Sequence, residues 1–538
     1  MARTSEDPPA NDRAERLRDA IRKKKAARDA SRPGSERAAQ EPRIPPRPER
    51  VPARLGPMQR SLWLAHRLDP TSAADHLVDA YRLSGQVDSA RLRSAFRQVV
   101  RRHRLLRSSF RSTGTGVVQD ILPAEAVEAT FDLEVVPAPQ DDPMVVAARE
   151  AQRPFDLSTP PLVRMVLVQQ LDRPVILMLV LHHLLADEQA LGVFWREMSG
   201  ALRDDLDEAA PAGQYDDVVH WLGRREPDGQ ELDAWRRRLD PAPPELALPF
   251  QAMPAAERRG RPGRLVARPL PADLAAGVRE LAQRAGATPF FVLAFAYGLF
   301  LRRLTEGPPP AFASPVSTRL RAGTADMIGY FTNPVVMPTL VDESMDVASA
   351  LRAFRSEALE RMAQATIPFQ DLVEALDPPR SAGRHPIFQT MFVLRRPGAM
   401  PELGPDIAVE RLQLDLGVAK FDLTLFVTEG DRPELELAAE YRIGRFDDEG
   451  VRRLLALYET LLCHLVAADL ETPVRDVSML DADEAGRLQT LSQGHQLTRA
   501  LDRLPQRTAA VAATSPDAPA LVFEGRATTY AELDEMAN

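Results

Sequence analysis

The chain has 538 residues, too many for one ordinary domain, and 44% of them are hydrophobic, enough to build more than one core. The formal net charge of −9 argues against nucleic acid as a main partner. The single cysteine, Cys463, excludes a disulfide framework and a cysteine-rich metal site, and it favours a reducing compartment.

The start of the chain is charged and has no apolar signal-peptide core. The longest apolar run, residues 289–301, is shorter than the ~20 residues that span a bilayer, so it predicts a buried helix. We therefore expect a cytoplasmic protein without a membrane partner.

The first 52 residues are rich in charge, proline, serine and alanine. Residues 11–30 favour one exposed helix, and residues 41–52 form a proline-rich linker. A disordered tail with transient helix fits this composition, and so does a docking segment for an upstream partner.

From about residue 53 the pattern becomes globular. Apolar spacing predicts a helix over 88–103, with Asp88 as its N-cap. The unbroken apolar run 175–181 predicts a strand that is buried on both faces, and a helix begins at about residue 188. Residues 204–265 are loop-rich and are expected to connect two lobes.

A second stretch of alternating helices and strands follows, which predicts layered α/β lobes. Its predicted helices cover 271–285, 289–303, 346–364 and 447–467, and its predicted strands lie in 311–319, 387–395, 421–428 and 434–441. Residues 518–538 predict a strand, a turn at Glu524–Gly525, a second strand and a helix that begins near Tyr530. Because the chain stops inside that helix, it has the pattern of a piece of a longer protein.

The stretch LVLHHLLADEQAL, residues 179–191, places two histidines at the end of the buried strand. Consecutive side chains of a strand face opposite sides, so His182 and His183 are not expected to enter one site together. The same reasoning, with no third ligand in the stretch, disfavours a metal. Two structural histidines remain possible, as does one imidazole that serves as a base or hydrogen-bond partner while Asp187 fixes the turn.

The HHLLADE segment resembles the HHxxxDG motif of the condensation domains of nonribosomal peptide synthetases, relatives of chloramphenicol acetyltransferase. Other segments are similar to the family's remaining motifs and occur in the same order. These are 56–70, 101–110, 154–168, 215–221, 328–338, 367–376 and 384–392. The tail resembles the entry to an adenylation domain, whose LTYxEL motif matches Thr529–Leu533.

The resemblance implies an α/β fold of two chloramphenicol-acetyltransferase-like lobes in a V, with a tunnel between them. The expected divisions are an N-terminal docking segment and linker, two lobes, and a linker with a truncated adenylation start. Their residue ranges are 1–52, 53–225, 226–490 and 491–538.

The resemblance also implies amide-bond formation, in which the amine of one carrier-bound aminoacyl thioester attacks the carbonyl of a donor acyl thioester on another carrier. His183 is the expected catalytic residue. His182, Asp187 and Arg319 are expected to support the site, with Arg319 pairing to Asp187, and Tyr330 and Asn333 are expected to line the tunnel. No metal and no bound cofactor are expected, since 4'-phosphopantetheine would arrive on the partner carrier proteins.

A primary α-amine has a pKa of about 8, so part of it is already neutral near pH 7. A base is more useful once the nitrogen becomes acidic in the tetrahedral intermediate, and positioning of the amine by a hydrogen bond fits the same geometry. No G-x-S-x-G nucleophile motif occurs, so direct transfer is predicted.

Glu188 stands where the motif has glycine. Facing the cleft, its carboxylate could hold the incoming ammonium or raise the pKa of His183. Facing solvent, it would only favour the helix dipole. The departure leaves open a second function, a degenerate condensation-like domain that binds carrier proteins or recruits a tailoring enzyme.

Rival family members fit less well. A cyclisation domain would have aspartate in place of the paired histidines, and an epimerisation domain would follow a carrier domain. The expected partners are an upstream donor carrier, in trans if Met1 is the native start, a downstream acceptor carrier and an adjoining adenylation domain. If residues 1–50 dock the upstream protein, their deletion should weaken transfer from that carrier and leave a fused donor unaffected.

Overall fold

The computed structural model describes residues 44–538 apart from short gaps, and its elements alternate between helix and strand. The gaps are 115, 139–140, 171–172, 208, 224–228, 240–245, 251–260, 320, 340, 380–384, 431–433 and 494–502. The predicted helix over 11–30 therefore lies outside the described residues.

The strands and helices can be numbered in chain order. The strands are β1 (His76–Ser84), β2 (Ser108–Thr113), β3 (Gly116–Ile121), β4 (Leu133–Pro137), β5 (Val163–Gln170), β6 (Arg173–His182), β7 (Gly263–Pro269), β8 (Phe312–Ser317), β9 (Thr332–Val336), β10 (Thr390–Arg395), β11 (Ala408–Leu412), β12 (Leu423–Glu429), β13 (Leu435–Arg442), β14 (Pro519–Phe523) and β15 (Arg526–Thr529). The helices are α1 (Arg60–Leu68), α2 (Ser89–Arg102), α3 (Val127–Thr130), α4 (Pro143–Gln152), α5 (Glu188–Leu202), α6 (Tyr215–Leu222), α7 (Gly229–Arg238), α8 (Ala272–Arg284), α9 (Pro289–Leu304), α10 (Val347–Ala363), α11 (Phe369–Leu376), α12 (Asp448–Ala467), α13 (Ala482–Ser492), α14 (Leu504–Thr514) and α15 (Tyr530–Ala537).

Two mixed sheets organise the chain up to Met479. The first has the strand order β11-β1-β6-β5-β4, and the second has the order β7-β13-β12-β10-β8-β9. Each sheet belongs to a separate hydrophobic core, so this part of the chain has two α/β lobes, as predicted.

Strand β6 occupies the middle of the first sheet, antiparallel to both β1 and β5. Residues Ile176–Leu181 are each at most 1% exposed, which confirms the predicted burial of the apolar run. Helix α9 has the same role in the second lobe, where its residues from Phe291 to Leu301 are buried.

Some residues within the predicted second-lobe range, 226–490, pack with the first lobe. Residues Met327–Phe331 contribute side chains to the first core, and β11 joins the edge of the first sheet, where Leu412 is paired with Ala80. Strand β1 would otherwise present a free sheet edge, and the crossover strand β11 covers it.

The segment predicted to be loop-rich, 204–265, contains α6 and α7. Helix α6 begins after Gln214, whose backbone N–H donates to Asp217 Oδ2 at 2.9 Å. Tyr215 and Val218 of α6 belong to the first core, whereas Trp235 of α7 belongs to the second.

Residues Leu480–Asn538 form a second compact unit. It includes α13. The predicted β14–β15 hairpin and the helix from Tyr530 are confirmed, and Thr529 caps that helix by accepting from the Glu532 backbone N–H.

Among the residues that the structure describes, no single helix is long and apolar enough to cross a bilayer; only the bent pair α8–α9 meets that test together, by length and composition.

Candidate active site

His182 ends β6 and is directed into the first lobe. It pairs with His76 across the sheet and is only 1% exposed. Its Nδ1 accepts a hydrogen bond from the Leu184 backbone N–H at 3.2 Å, and its ring packs edge-on against His66, with 5.3 Å between centroids. Burial lowers the pKa of His182 to about 3, so the ring is uncharged at neutral pH and serves the packing of the lobe.

His183 has a different environment, as the strand geometry predicts for adjacent residues. Its backbone N–H donates to the Asp75 carbonyl at 2.8 Å, and its side chain is partly exposed. Its Nδ1 lies 2.7 Å from the Ala186 carbonyl oxygen, which can only accept, so Nδ1 carries the proton. The other ring nitrogen, Nε2, therefore keeps its lone pair.

Burial, together with the Lys420 ammonium, keeps the imidazole of His183 neutral. Burial lowers its pKa and the Lys420 ammonium lowers it further, while the Ala186 carbonyl, Asp75 and Asp187 oppose them without reversing the shift. A neutral ring with a free Nε2 lone pair can accept a proton near neutral pH.

Asp187 and Arg319 form a buried ion pair that links the turn to the segment before β9. Arg319 Nη2 lies 2.8 Å from Asp187 Oδ1, and the two side chains are 3% and 4% exposed. Asp187 also caps α5 by accepting from the Ala190 backbone N–H, and its Oδ2 accepts from the Phe331 backbone N–H. The structure thus brings together the pair expected from the sequence.

Arg319 is itself held by the segment that follows it in the chain. Its Nη1 donates to the carbonyls of Thr324 and Met327, at 2.6 and 2.7 Å, and its guanidinium lies over the Phe331 ring at 4.1 Å. A guanidinium with this many contacts has one orientation, so the ion pair holds the histidine turn in one position.

Glu188 begins α5 and is partly exposed. Burial raises its pKa, and the charged groups that act on it most are Arg395, Asp79 and Arg411. Arg395 lies on β10 of the second sheet, whereas Asp79 and Arg411 lie on β1 and β11 of the first. The charges that dominate at His183 are instead Lys420, Asp75 and Asp187, which does not support the suggestion that Glu188 raises the pKa of that imidazole.

Of the two residues expected to line the tunnel, Tyr330 contacts His183, whereas the contacts of Asn333 lie within the second lobe. The Tyr330 ring packs edge-on against His183, with 5.1 Å between the centroids. Asn333 is 3% exposed, and its amide is used within the second lobe: it donates to the carbonyls of Ala365 and Ile367 and accepts from the Phe369 backbone N–H. Its contacts hold β9 to the segment before α11, so they differ from those expected of a tunnel residue.

Two residues of the site were missed by the sequence analysis. Lys420, just before β12, reaches across the lobes to Asp75, with 2.6 Å between Nζ and Oδ1. Burial alone would raise the pKa of Asp75, but Lys420, with smaller contributions from His182 and His183, brings it below its usual value. Lysine is rare in this sequence, and that rarity was the one signal that could have drawn attention to Lys420.

Metal chemistry has no candidate centre in the described part of the chain. No group of three or more His, Cys, Asp or Glu side chains there is arranged to hold a metal ion.

Two α/β lobes that meet at a turn with paired histidines define a protein of the chloramphenicol-acetyltransferase-like class. The chain belongs to the condensation domain family, whose model matches residues 51–489.

Relatives from peptide synthetases support this membership. The chain is 33% identical to the phosphinothricin tripeptide synthetase PhsB of Streptomyces viridochromogenes, over 95% of its own length and 44% of that protein. It is 32% identical to the probable non-canonical nonribosomal peptide synthetase CymA of Salinispora arenicola, over 92% of its length and 6% of that protein. The chain thus spans less than half of either relative.

Solved structures share the fold. The X-domain in its complex with OxyB from teicoplanin biosynthesis is 26% identical, with a TM-score of 0.68 over 82% of this chain and 99% of that one. A four-domain nonribosomal peptide synthetase, AB3403, is 20% identical and has a TM-score of 0.73 over 92% of this chain and 38% of that one. The latter likeness concerns the fold alone.

Proposed function

We propose that this condensation domain forms an amide bond by direct acyl transfer between two carrier-bound thioesters. The acceptor amine attacks the donor carbonyl, a C–N bond forms and the donor C–S bond breaks. The proton lost from nitrogen passes through His183 Nε2 to the departing thiolate, so the imidazole is unchanged at the end of the reaction.

The observation that carries the proposal is the hydrogen bond between His183 Nδ1 and the Ala186 carbonyl. It assigns the lone pair to Nε2 of a partly exposed residue. General base catalysis by such a group contributes about 10²–10⁴-fold to a rate.

The neighbouring residues have positioning roles in this proposal. The Asp187–Arg319 pair holds the turn, and the Tyr330 ring limits the orientation of the imidazole. The Glu188 carboxyl, whose charged neighbours include Arg395 and Arg411, contacts one of the two substrates.

The substrates are carried by partners. An upstream carrier protein, in trans, presents the donor and a downstream carrier presents the acceptor, each on 4'-phosphopantetheine. The hairpin β14–β15 and helix α15 are the opening elements of an adjoining adenylation domain, a reading supported by the Thr529–Leu533 motif and by the capping of α15 at Thr529.

A second candidate function is recruitment without catalysis. Two observations favour it: glutamate at position 188, and the likeness to an X-domain whose solved complex contains OxyB. In that case the carriers or a tailoring enzyme would bind without amide formation.

The test uses the full chain with two separate carrier proteins loaded with a panel of small aminoacyl groups. Wild type should form an amide, and His183→Ala should slow this by roughly 100-fold or more. His464→Ala, at a partly exposed imidazole on α12, is the matched control and should retain the rate. If both carriers bind but neither wild type nor His183→Ala makes product, the recruitment function replaces the proposed one.

A further inference from the structure

Lys420 is the one lysine among the residues that the structure describes, because the other three, Lys23, Lys24 and Lys25, lie before residue 44. Every other long cationic side chain in that part of the chain is arginine. A lysine ammonium is a compact point charge, whereas a guanidinium is a wide planar fork.

The backbone of Lys420 is held by the second lobe. Its N–H donates to Glu440 Oε1 at 3.1 Å, and its carbonyl accepts from Arg261 Nη1 at 2.7 Å. Only the side chain leaves this lobe, and it ends 2.6 Å from Asp75 Oδ1 in the first lobe.

Asp75 transmits this contact to the active-site turn. The residue is 8% exposed and immediately precedes β1, and its backbone carbonyl accepts from the His183 N–H at 2.8 Å. The side chain of Asp75 therefore binds Lys420 while its main chain binds His183. On the other side of the turn, Arg319 binds Asp187 in the same way, from the second lobe to the first.

We propose that Lys420 is a positioning residue which, acting through Asp75, fixes His183 and keeps its imidazole uncharged. The inference rests on the proposed function, because it concerns the base of that reaction. It extends the function by assigning to the second lobe a cation that sets the state of a histidine in the first.

The charged and titratable groups around His183 come from several elements. Asp75 precedes β1, Asp187 caps α5, Lys420 precedes β12 and Tyr330 precedes β9. His182 lies beside it in the chain, and Arg319 neutralises Asp187. Lys420 is the cation of this group that opposes protonation of His183 most strongly, and Asp75 is the anion that favours it most, ahead of Asp187.

The test measures the titration of His183 directly, by NMR of the full chain with ¹³C-labelled histidine, assigned by the signal that His183→Ala removes. In wild type the ring should titrate below pH 6.5. Lys420→Met should move the midpoint upward by about one pH unit, since it removes the cation and leaves Asp75 unpaired. Lys420→Arg, which keeps the charge, should restore most of the wild-type midpoint.

Asp75→Asn should move the midpoint in the opposite direction, because it removes an anion and keeps the backbone carbonyl. This second variant preserves the test if Lys420→Met does not fold. Arg60→Met is the matched control: it removes a largely exposed contact between the lobes, at 3.2 Å from Asp371, and should leave the midpoint unchanged.

The inference is overturned if the folded variant, Lys420→Met or Asp75→Asn, has the same His183 midpoint as wild type. It is also overturned if Arg60→Met shifts that midpoint as much as these variants do. The NMR titration needs no substrate, so its outcome is separate from that of the amide-forming assay. Loss of activity in His183→Ala with no shift in Lys420→Met would contradict this inference alone.

Discussion

His182 and His183 are neighbours in sequence with different chemical states. The first is enclosed by the first lobe and the second is partly exposed near the second lobe. The period of a strand was enough to predict this division. It could not identify Asp75 or Lys420, because the contacts of these residues join positions 345 residues apart.

The burial of His182 makes the folded state sensitive to acid. Its pKa is about 3 in the folded chain and ~6.5 in an unfolded one, so between these values the unfolded state binds a proton that the folded state excludes. Stability should therefore fall as pH decreases from 6.5. Between pH 7 and pH 5 wild type should lose about 2 kcal/mol more than His182→Asn, measured by urea unfolding. An unchanged difference between the two proteins at both pH values would disprove the assignment.

Glu188 should affect substrate binding rather than the base. Since its strongest charged neighbours are Arg395, Asp79 and Arg411, Glu188→Gln should change the KM for one carrier substrate by several-fold. The NMR midpoint of His183 should stay where it is in wild type. A shift of that midpoint without a change in KM would contradict the position we assign to the carboxyl. Glu188→Gly, which restores the family's residue, shows whether bulk or charge is responsible.

At the scale of elements, Asp187 has two roles at the start of α5. Asp187 caps the helix and neutralises Arg319, so the start of α5 is fixed to the other lobe. Sequence periodicity predicted the beginning of this helix at about residue 188, and the family resemblance supplied its arginine partner. The backbone contacts from Gly329 and Phe331 to Asp187 needed the structure, because loop conformation has no periodic signal.

Removal of the Asp187 carboxylate should be much more costly than loss of an ordinary cap. Asp187→Ala leaves a buried guanidinium unpaired, and we expect a loss of about 3–5 kcal/mol in unfolding free energy. Asp88→Ala removes the N-cap of α2, where the Asp88 side chain accepts from two backbone N–H groups, and should cost about 1 kcal/mol. Urea unfolding of the two variants compares them directly. Equal losses would show that Arg319 adds nothing to the cap.

At the scale of the whole molecule, later segments of the chain complete the first lobe. The residues around Tyr330 complete the first core, and β11 extends the first sheet. Composition and alternating elements predicted two α/β lobes, because each lobe buries its own apolar set. They could not predict that β11 joins the first sheet, since β11 is a short strand whose partner, β1, lies more than 300 residues earlier.

A mostly buried ion pair between Asp79 and Arg411 holds β11 against β1. Asp79 is 6% exposed and accepts from Tyr81, Trp195 and Arg411, the last of which belongs to β11. Arg411→Met should destabilise the chain by roughly 2–4 kcal/mol, because Asp79 loses its cation. It should also increase hydrogen exchange in β11.

A control is available on the same two strands. Arg82 and Glu410 pair at 3.4 Å, with both side chains more than half exposed. Arg82→Met should therefore change stability by less than about 1 kcal/mol. Similar effects of the two substitutions on β11 exchange would mean that the buried pair does not hold the crossover.

The central claim is that the neutral imidazole of His183 accepts the proton in amide formation. The most direct measurement is the ratio of single-turnover rates, wild type over His183→Ala, followed by intact-protein mass of the two carriers across pH. The ratio cancels the titration of the acceptor amine. We predict a ratio of about 100 or more that is constant from pH 8 to pH 6.5 and falls only below it, because the pKa of His183 is lowered. A ratio near one at every pH would contradict the account.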